Sequence, residues 1–305
     1  MASLTIDVSQ LRKTYGNRAA VRDLTLQVAR AEAFGFLGPN GAGKSTSIKM
    51  LLGLVKPTSG RALLLGRPVG TRELRARIGF LPEHFRFYDW LSASELLQFH
   101  GRLCGLADDT LRHKIPRLLE RLGLGAHSSK PLRTFSKGMM QRAGLAQAIL
   151  NDPEILFLDE PTSGLDPAGR KLVRDLIAEQ RARGATVFLN SHLLSEVEQS
   201  CDRVAFIREG RIIAMHEMGA WQSDRTDVEI NAAGISATAI ERLKAFTQDL
   251  HLDGQLLRLR MIQANDLPEI IRCLVESRAA VFSVVPQRQS LEDLFLQMMG
   301  PDTGL

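Results

Sequence analysis

Residues 38–46 read Gly38-Pro39-Asn40-Gly41-Ala42-Gly43-Lys44-Ser45-Thr46, with three glycines in six positions followed by a lysine and two hydroxyls. A stretch of this kind folds in few ways. It follows the continuous apolar run Ala33 to Leu37 and precedes the helix-forming run Thr46 to Leu54, so strand, glycine turn and helix come in the order that the G-x-x-x-x-G-K-[ST] pattern requires. The glycines let the backbone curl until consecutive N–H groups face one point, where the following helix adds about half a positive charge. That is a cradle for phosphate. Within it Lys44 would neutralise β- and γ-phosphates and Ser45 would ligate Mg²⁺.

A buried strand needs partners of its own kind. Similar apolar runs recur at Ile155 to Leu158, Thr186 to Leu189 and Arg203 to Ile207, each too continuous for a half-exposed strand. With the helical stretch Gly169 to Arg183 between them, they predict an α/β fold: a mostly parallel central sheet flanked by helices. The first thirty residues and Arg61 to Leu65 alternate apolar with polar, as in Leu24-Thr25-Leu26-Gln27-Val28, which predicts antiparallel strands beside that sheet. From Leu91 to Leu150 the period turns helical. Ser92 to Glu95 reads as a capping box, and a second helix runs to Leu122 with Gly123 as its stop and Pro116 starting or kinking part of it.

Beyond Gly219 the pattern changes. After the polar stretch Gln222 to Asp227 come a strand at Val228 to Ile230, a helix near Ile240 to Phe246 and a strand at Leu256 to Arg260. A helix at Leu267 to Glu276, a strand at Val281 to Val285 and a helix at Leu291 to Met299 follow. This predicts a small α+β domain over residues 219–305, after a larger domain over residues 1–218. A chain of 305 residues suffices for both.

Composition removes several classes. At 44% hydrophobic and 24% charged the chain reads as globular, and no uncharged apolar run approaches the roughly 18–20 residues that cross a bilayer. The N-terminus shows no signal-peptide pattern, and the three cysteines are scattered without metal-ligand spacing, which fits a reducing compartment. The net charge of +5 is spread along the chain. With only 6% aromatics it offers no base-stacking platform, so no nucleic acid is expected as a partner.

Ile155-Leu156-Phe157-Leu158-Asp159-Glu160 is an apolar strand ending in two carboxylates, whose side chains leave on opposite sides. Asp159 would hold Mg²⁺ through water, and Glu160 would polarise a water attacking the γ-phosphate. Between loop and acids stands Phe135-Ser136-Lys137-Gly138-Met139-Met140-Gln141-Arg142. After the acids come Ser163-Gly164-Leu165-Asp166 and, behind the strand Thr186 to Leu189, Asn190-Ser191-His192. In this order the motifs resemble those of an ATP-binding-cassette (ABC) ATPase over roughly the first 215 residues. Residues 135–142 are similar to the family's Leu-Ser-Gly-Gly-Gln signature, with Lys137 and Met139 replacing its first Gly and its Gln.

The resemblance implies further roles. Ser136 and Gly138 match positions that touch the γ-phosphate held by an opposite subunit; Asp166 matches the loop linking the two sites, besides the plainer role of a helix cap. His192 matches the switch histidine and Tyr15, in Lys13-Thr14-Tyr15-Gly16, the aromatic that stacks on adenine. Glu83, in Leu81-Pro82-Glu83, stands where the family usually has a glutamine that senses Mg²⁺ and the attacking water. The implied fold is a P-loop ABC ATPase with a mixed central sheet, an antiparallel β subdomain and a helical subdomain. The implied cofactors are ATP and Mg²⁺.

The implied assembly is a head-to-tail homodimer, or a heterodimer with a similar ATPase, on the cytoplasmic face of a membrane. There it would drive a separate integral membrane transporter subunit, an exporter, whose docking surface lies within the stretch Phe87 to Leu106; Phe85, Phe87, Tyr88 and Trp90 beside the Glu83 loop are either contacts for it or packing of the helical subdomain. Leu291-Glu292-Asp293-Leu294-Phe295 is similar to the closing helix of accessory domains in such exporters. Two rivals are a soluble ABC-type ATPase of DNA repair or chromosome organisation, and a P-loop kinase. The first lacks a coiled-coil insertion here, and the second leaves Ser136 to Arg142 and His192 unexplained.

Overall fold

The computed structural model describes residues 4–84, 86–218, 227–286 and 291–299. Phe85 and all of the expected linker Gln222 to Asp227 except its last residue lie outside the described residues. The chain divides into two compact units, Met1–Glu217 with Phe295–Leu305, and Met218–Leu294.

The first unit is built on a mixed sheet. Its centre is β3 (Ala33–Leu37), β7 (Ile155–Asp159) and β8 (Thr186–Asn190), buried at every position. With β6 (Ile78–Leu81) and β9 (Arg203–Arg208) they run parallel in the order β9-β3-β8-β7-β6. Continuous apolar sequence forms such strands because both faces are covered. The covering helices are α1 (Lys44–Leu51), which leads from β3 into the antiparallel part, and α5 (Lys137–Ile149), α6 (Pro167–Ala182) and α7 (Leu194–Ser200), which lie on crossovers between parallel strands. Phe188 sits in the middle, its ring centroid 5.5, 5.3 and 5.4 Å from those of Phe34, Phe36 and Phe157.

The alternating segments form the antiparallel part. β1 (Leu4–Tyr15) pairs with β2 (Arg18–Ala29) and with β4 (Ser59–Leu64), and β5 (Arg67–Pro68) closes the edge. A further strand, β10 (Arg211–Glu217), pairs antiparallel with β9 and meets β2 through Arg211 and Asp23, joining both parts into one ten-stranded sheet. A short α2 (Arg72–Arg75) precedes β6.

The helical subdomain contains α3 (Ala93–Leu103) and α4 (Asp108–Arg121). The capping box expected from sequence is formed: Ser92 Oγ accepts from the Glu95 N–H at 3.2 Å, and Glu95 accepts from the Ser92 N–H at 2.8 Å. Gly123 closes α4 with a φ of 70°, the left-handed stop that glycine allows. Pro116 does not begin a helix. It lies inside α4 on the exposed face, where water can serve the carbonyl that its missing N–H leaves unpaired.

The second unit runs β11 (Asp227–Ala233), α8 (Ala237–Leu243), β12 (Thr247–Asp253), β13 (Leu256–Met261), α9 (Leu267–Glu276) and β14 (Ala280–Pro286). Its four strands pair antiparallel in the order β12-β13-β11-β14, the β-α-β-β-α-β arrangement of ferredoxin-like domains. Its own core gathers Ile230, Leu243, Leu257, Ile270 and Leu274. The last described helix is α10 (Leu291–Met299); within the first unit its Phe295 has its ring centroid 6.1 Å from that of Phe206.

Phe188→Ala removes the ring that three others pack against, and the cost is expected to be roughly 3–5 kcal/mol. Chemical denaturation should show a lower midpoint with an unchanged slope.

Candidate active site

Parallel strands deliver their C-terminal ends to one edge, where ligands of α/β folds bind. Here β3 leads into the glycine loop, β6 into Pro82 and Glu83, β7 ends at Asp159 and β8 at Asn190. A cleft of ≈ 1060 Å³ opens at this edge. Gly38, Pro39, Asn40, Gly41, Gly43, Lys44, Ser45 and Thr46 line it, together with Tyr15, Glu83, Glu160, Asn190 and His192. Residues some 177 positions apart in sequence thus meet in one space.

The loop has little freedom. Gly43 has a φ of 107°, and a Cβ there would meet the Ala20 carbonyl oxygen at 2.6 Å. A Cβ at Gly38 would meet the Ile207 carbonyl oxygen at 2.2 Å. Ala42, expected among the ligand contacts, turns inward instead: it is 3% exposed, donates its N–H to Pro39 O at 3.2 Å and accepts from Gly210 N at 2.8 Å. Its place is structural, because the curl that aims neighbouring N–H groups outward points its methyl into the core. Lys44 Nζ donates to Gly38 O at 2.5 Å and Pro39 O at 3.1 Å, leaving one of its three donors for a ligand. Burial lowers the Lys44 pKa, opposed by the nearby charges of Glu160, Asp159 and Glu83.

Two carboxylates face this lysine from the end of β7. Asp159 is 6% exposed and accepts from Asn190 Nδ2 at 2.5 Å and from the backbone N–H of Glu83. Burial raises its pKa, and the negative charge of Glu83 pushes the same way. Glu160 occupies the left-handed region with a φ of 53°, costly for a residue with a Cβ. Its N–H donates to Asn190 O at 2.8 Å, and its Oε2 lies 2.6 Å from His192 Nδ1. Burial raises the Glu160 pKa, and His192 opposes that rise.

Tyr15 is 52% exposed at the rim, with Lys13 Nζ 4.9 Å from its ring centroid. Arg18 and Arg22 also line the cleft. Sequence reading missed both, as it missed Asn190. The signal for Asn190 was its position at the end of an apolar strand two residues before His192.

Ser136, Gly138 and Asp166 do not line this cleft. They gather elsewhere on the same unit. Ser136 caps α5, accepting from Met139 N at 3.3 Å. Asp166 caps α6, accepting from Gly169 N at 2.9 Å, with Arg142 at 3.8 Å. The Lys137 side chain lies across Gly164, and Gly138 faces the Gly164 carbonyl and Leu165. Lys137, unlike the glycine it replaces, therefore covers the turn between the acids and α6.

A glycine cradle at a helix start, with a lysine in front of paired acids at the edge of a parallel sheet, defines a P-loop nucleotide-binding fold. The sequence model of the ABC transporter family matches residues 21–163. An ABC transporter ATP-binding protein of Synechocystis sp. is 38% identical over 288 residues, covering 92% of this chain and 78% of that one. Nod factor export ATP-binding protein I of Rhizobium sp. (strain N33) is 34% identical, covering 98% of each. A solved structure of the ATP binding subunit of an ABC transporter superposes with a TM-score of 0.68 at 31% identity, covering 72% of this chain and 92% of that one. The chain belongs to the family of ABC transporter ATP-binding proteins and is an ATP-binding, ATP-hydrolysing subunit of that type.

The raised pKa of Glu160 has a signed consequence for stability. Because the folded chain favours its protonated form, the stability linked to this group is complete below the unfolded-state pKa and is lost as pH rises through the raised folded value. Glu160→Gln removes that loss. Its Tm is expected to exceed that of the parent chain at neutral pH, by a margin that vanishes as pH falls into the ordinary carboxylate range. A margin independent of pH would contradict the assignment.

Proposed function

We propose that this chain is the motor of an exporter whose membrane-spanning part is a separate polypeptide, and that two ATPase chains, either identical or similar, close head to tail over two ATP molecules. The observation that carries the reading is the convergence of Lys44, Glu160 and His192 in one cleft, with Glu160 and His192 in contact. In support, no helix among the described residues is long and apolar enough to cross a membrane, and a relative matching 98% of the chain is named for Nod factor export.

The adenine of ATP would stack on Tyr15, and the phosphates would lie in the loop from Gly38 to Thr46 under the free Lys44 donor. Ser45, Asp159 and Glu83 supply oxygen, the donor chemistry that Mg²⁺ takes, and Asn190 Oδ1 beside them is buried without a partner. The described residues contain no cluster of three or more His, Cys, Asp or Glu placed to hold a metal. That suits a cation held by one or two carboxylates and the phosphates themselves. When bound, Mg²⁺ supplies charge neutralisation on the β- and γ-phosphate oxygens.

Glu160 takes a proton from water as the water oxygen attacks the γ-phosphorus in line; the bond to the β,γ-bridging oxygen breaks, and ADP leaves. His192 contacts the γ-phosphate and registers its loss. Ser136 and Gly138, at the start of α5, complete the site of the facing chain, aiming a helix N-terminus at its γ-phosphate, and Asp166 links the two sites. Absence of these residues from their own chain's cleft supports a shared site. Release of the γ-phosphate removes what both chains hold, and the pair loosens. That cycle is the two-state element the membrane partner uses.

The partner's cytoplasmic loop docks on the aromatic groove beside Glu83, of ≈ 400 Å³, lined by Phe80, Pro82, Phe87, Tyr88 and Phe99. Tyr88 and Trp90 stand exposed at 53% and 63%, their ring centroids 5.0 Å apart. The assembly lies on the cytoplasmic face of the membrane, with residues 219–305 as an accessory domain that supports the dimer.

Phosphate release without any added acceptor tests the chemistry. Glu160→Gln is expected to lower it by about 10²–10⁴-fold while ATP binding persists, and Lys44→Ala to lose binding. A need for a phosphate acceptor would instead make the chain a kinase, and salt-sensitive DNA binding would move it to the repair class.

A further inference from the structure

Gln141 lies in α5, five residues after Ser136, and is 3% exposed. Its Nε2 donates to Glu160 O at 3.1 Å and to Pro161 O at 3.0 Å, using both amide hydrogens on two successive carbonyls. These carbonyls follow the end of β7, where the ladder with β8 has stopped. An unserved buried carbonyl there would be costly.

Glu160 is the residue whose backbone needs such support. Its φ of 53° is a conformation that persists in a non-glycine residue only when the surroundings over-determine it. On its N–H side Asn190 O is the restraint, at 2.8 Å, and Ser163 N reaches its carbonyl at 3.2 Å. Gln141 supplies the remaining clamp, and alone among these it bridges the peptide carbonyls on both sides of the Glu160–Pro161 bond. If that segment relaxed toward a right-handed or extended backbone, the Glu160 carboxylate would leave its 2.6 Å contact with His192.

We infer that Gln141 is a positioning residue for the hydrolytic reaction: it holds the left-handed turn that aims the Glu160 carboxylate into the cleft. The inference rests on the reading of Glu160 as the base. It also gives α5 a second task, because the helix whose first turn carries Ser136 fixes through its second turn the acid of its own chain.

The test is a steady-state and binding study of the full chain, with fluorescent ATP analogue as the binding probe. Gln141→Met keeps the length and removes both donors. It is expected to bind the analogue with unchanged Kd, since no loop residue is touched, and to lower kcat on the order of 10²-fold, the cost of a displacement of about 1 Å. Gln141→Asn keeps an amide but is one methylene short of bridging both carbonyls; it should show a smaller loss of kcat, again without loss of binding, and decides the matter if the Met variant does not fold.

A merely structural role is separated by a double-mutant cycle. In a Glu160→Gln background Gln141→Met should leave the residual rate unchanged, because it acts through the group already removed. A folded Gln141 variant with parental kcat, or a further loss of the same size in the Glu160→Gln background, overturns the inference while leaving the role of Glu160 standing. Parental hydrolysis by Glu160→Gln alone overturns both.

Discussion

The register between β7 and β8 sets most of the site. Asp159 pairs with Asn190 and Leu158 with Leu189, while Leu81 of β6 pairs with Leu158. One edge of the sheet therefore presents Asp159, Asn190 and the chain leading to Glu83 side by side. A slip of one residue would turn Asp159 to the opposite face. What prevents it is apolar: Phe157 and Phe188 are buried on these same strands, in contact with each other and, through Phe188, with Phe34 and Phe36 of β3. The placement of charge is thus decided by the packing of uncharged rings.

That placement is unfavourable for the chain by itself. Burial raises the pKa of both Asp159 and Glu160, and Glu83 adds like charge beside them. Lys44, also resisting burial in its charged form, is the compensating cation. The left-handed backbone at Glu160 adds strain at the same point. Such costs concentrate where chemistry requires them and are tolerated because the surrounding core over-determines the geometry. Hydrogen bonds from Asn190 and Gln141 do the local work, each reaching a group that the strand ladder cannot serve.

Much of this was legible in the sequence, for identifiable reasons. The central strands showed because burial on both faces demands unbroken apolar runs, and the phosphate loop because its glycines have no substitute. β12 did not show. Its seven residues have no fully buried position, so Thr247 to Asp253 carries the polar sequence of an edge strand. β10, with none either, was hidden likewise. Ala42 belongs to the loop motif yet faces the core, since a motif names positions and not directions. Gln141 was quoted in the signature segment without its task, because its two acceptors lie 19 and 20 residues downstream and nothing local marks them. Ser136 and Asp166 are helix caps in this single chain, as their residue types alone would suggest. The second role proposed for them depends on a partner chain.

The proposed motor cycle turns on the cleft being half of a shared site. Light scattering on Glu160→Gln, which should keep ATP uncleaved, measures this directly. Saturating ATP with Mg²⁺ is expected to double the molar mass, ADP to leave it single, and Ser136→Arg, which blocks the helix start, to prevent the doubling. A chain that stays monomeric with ATP bound would contradict the shared site, whatever its rate of hydrolysis.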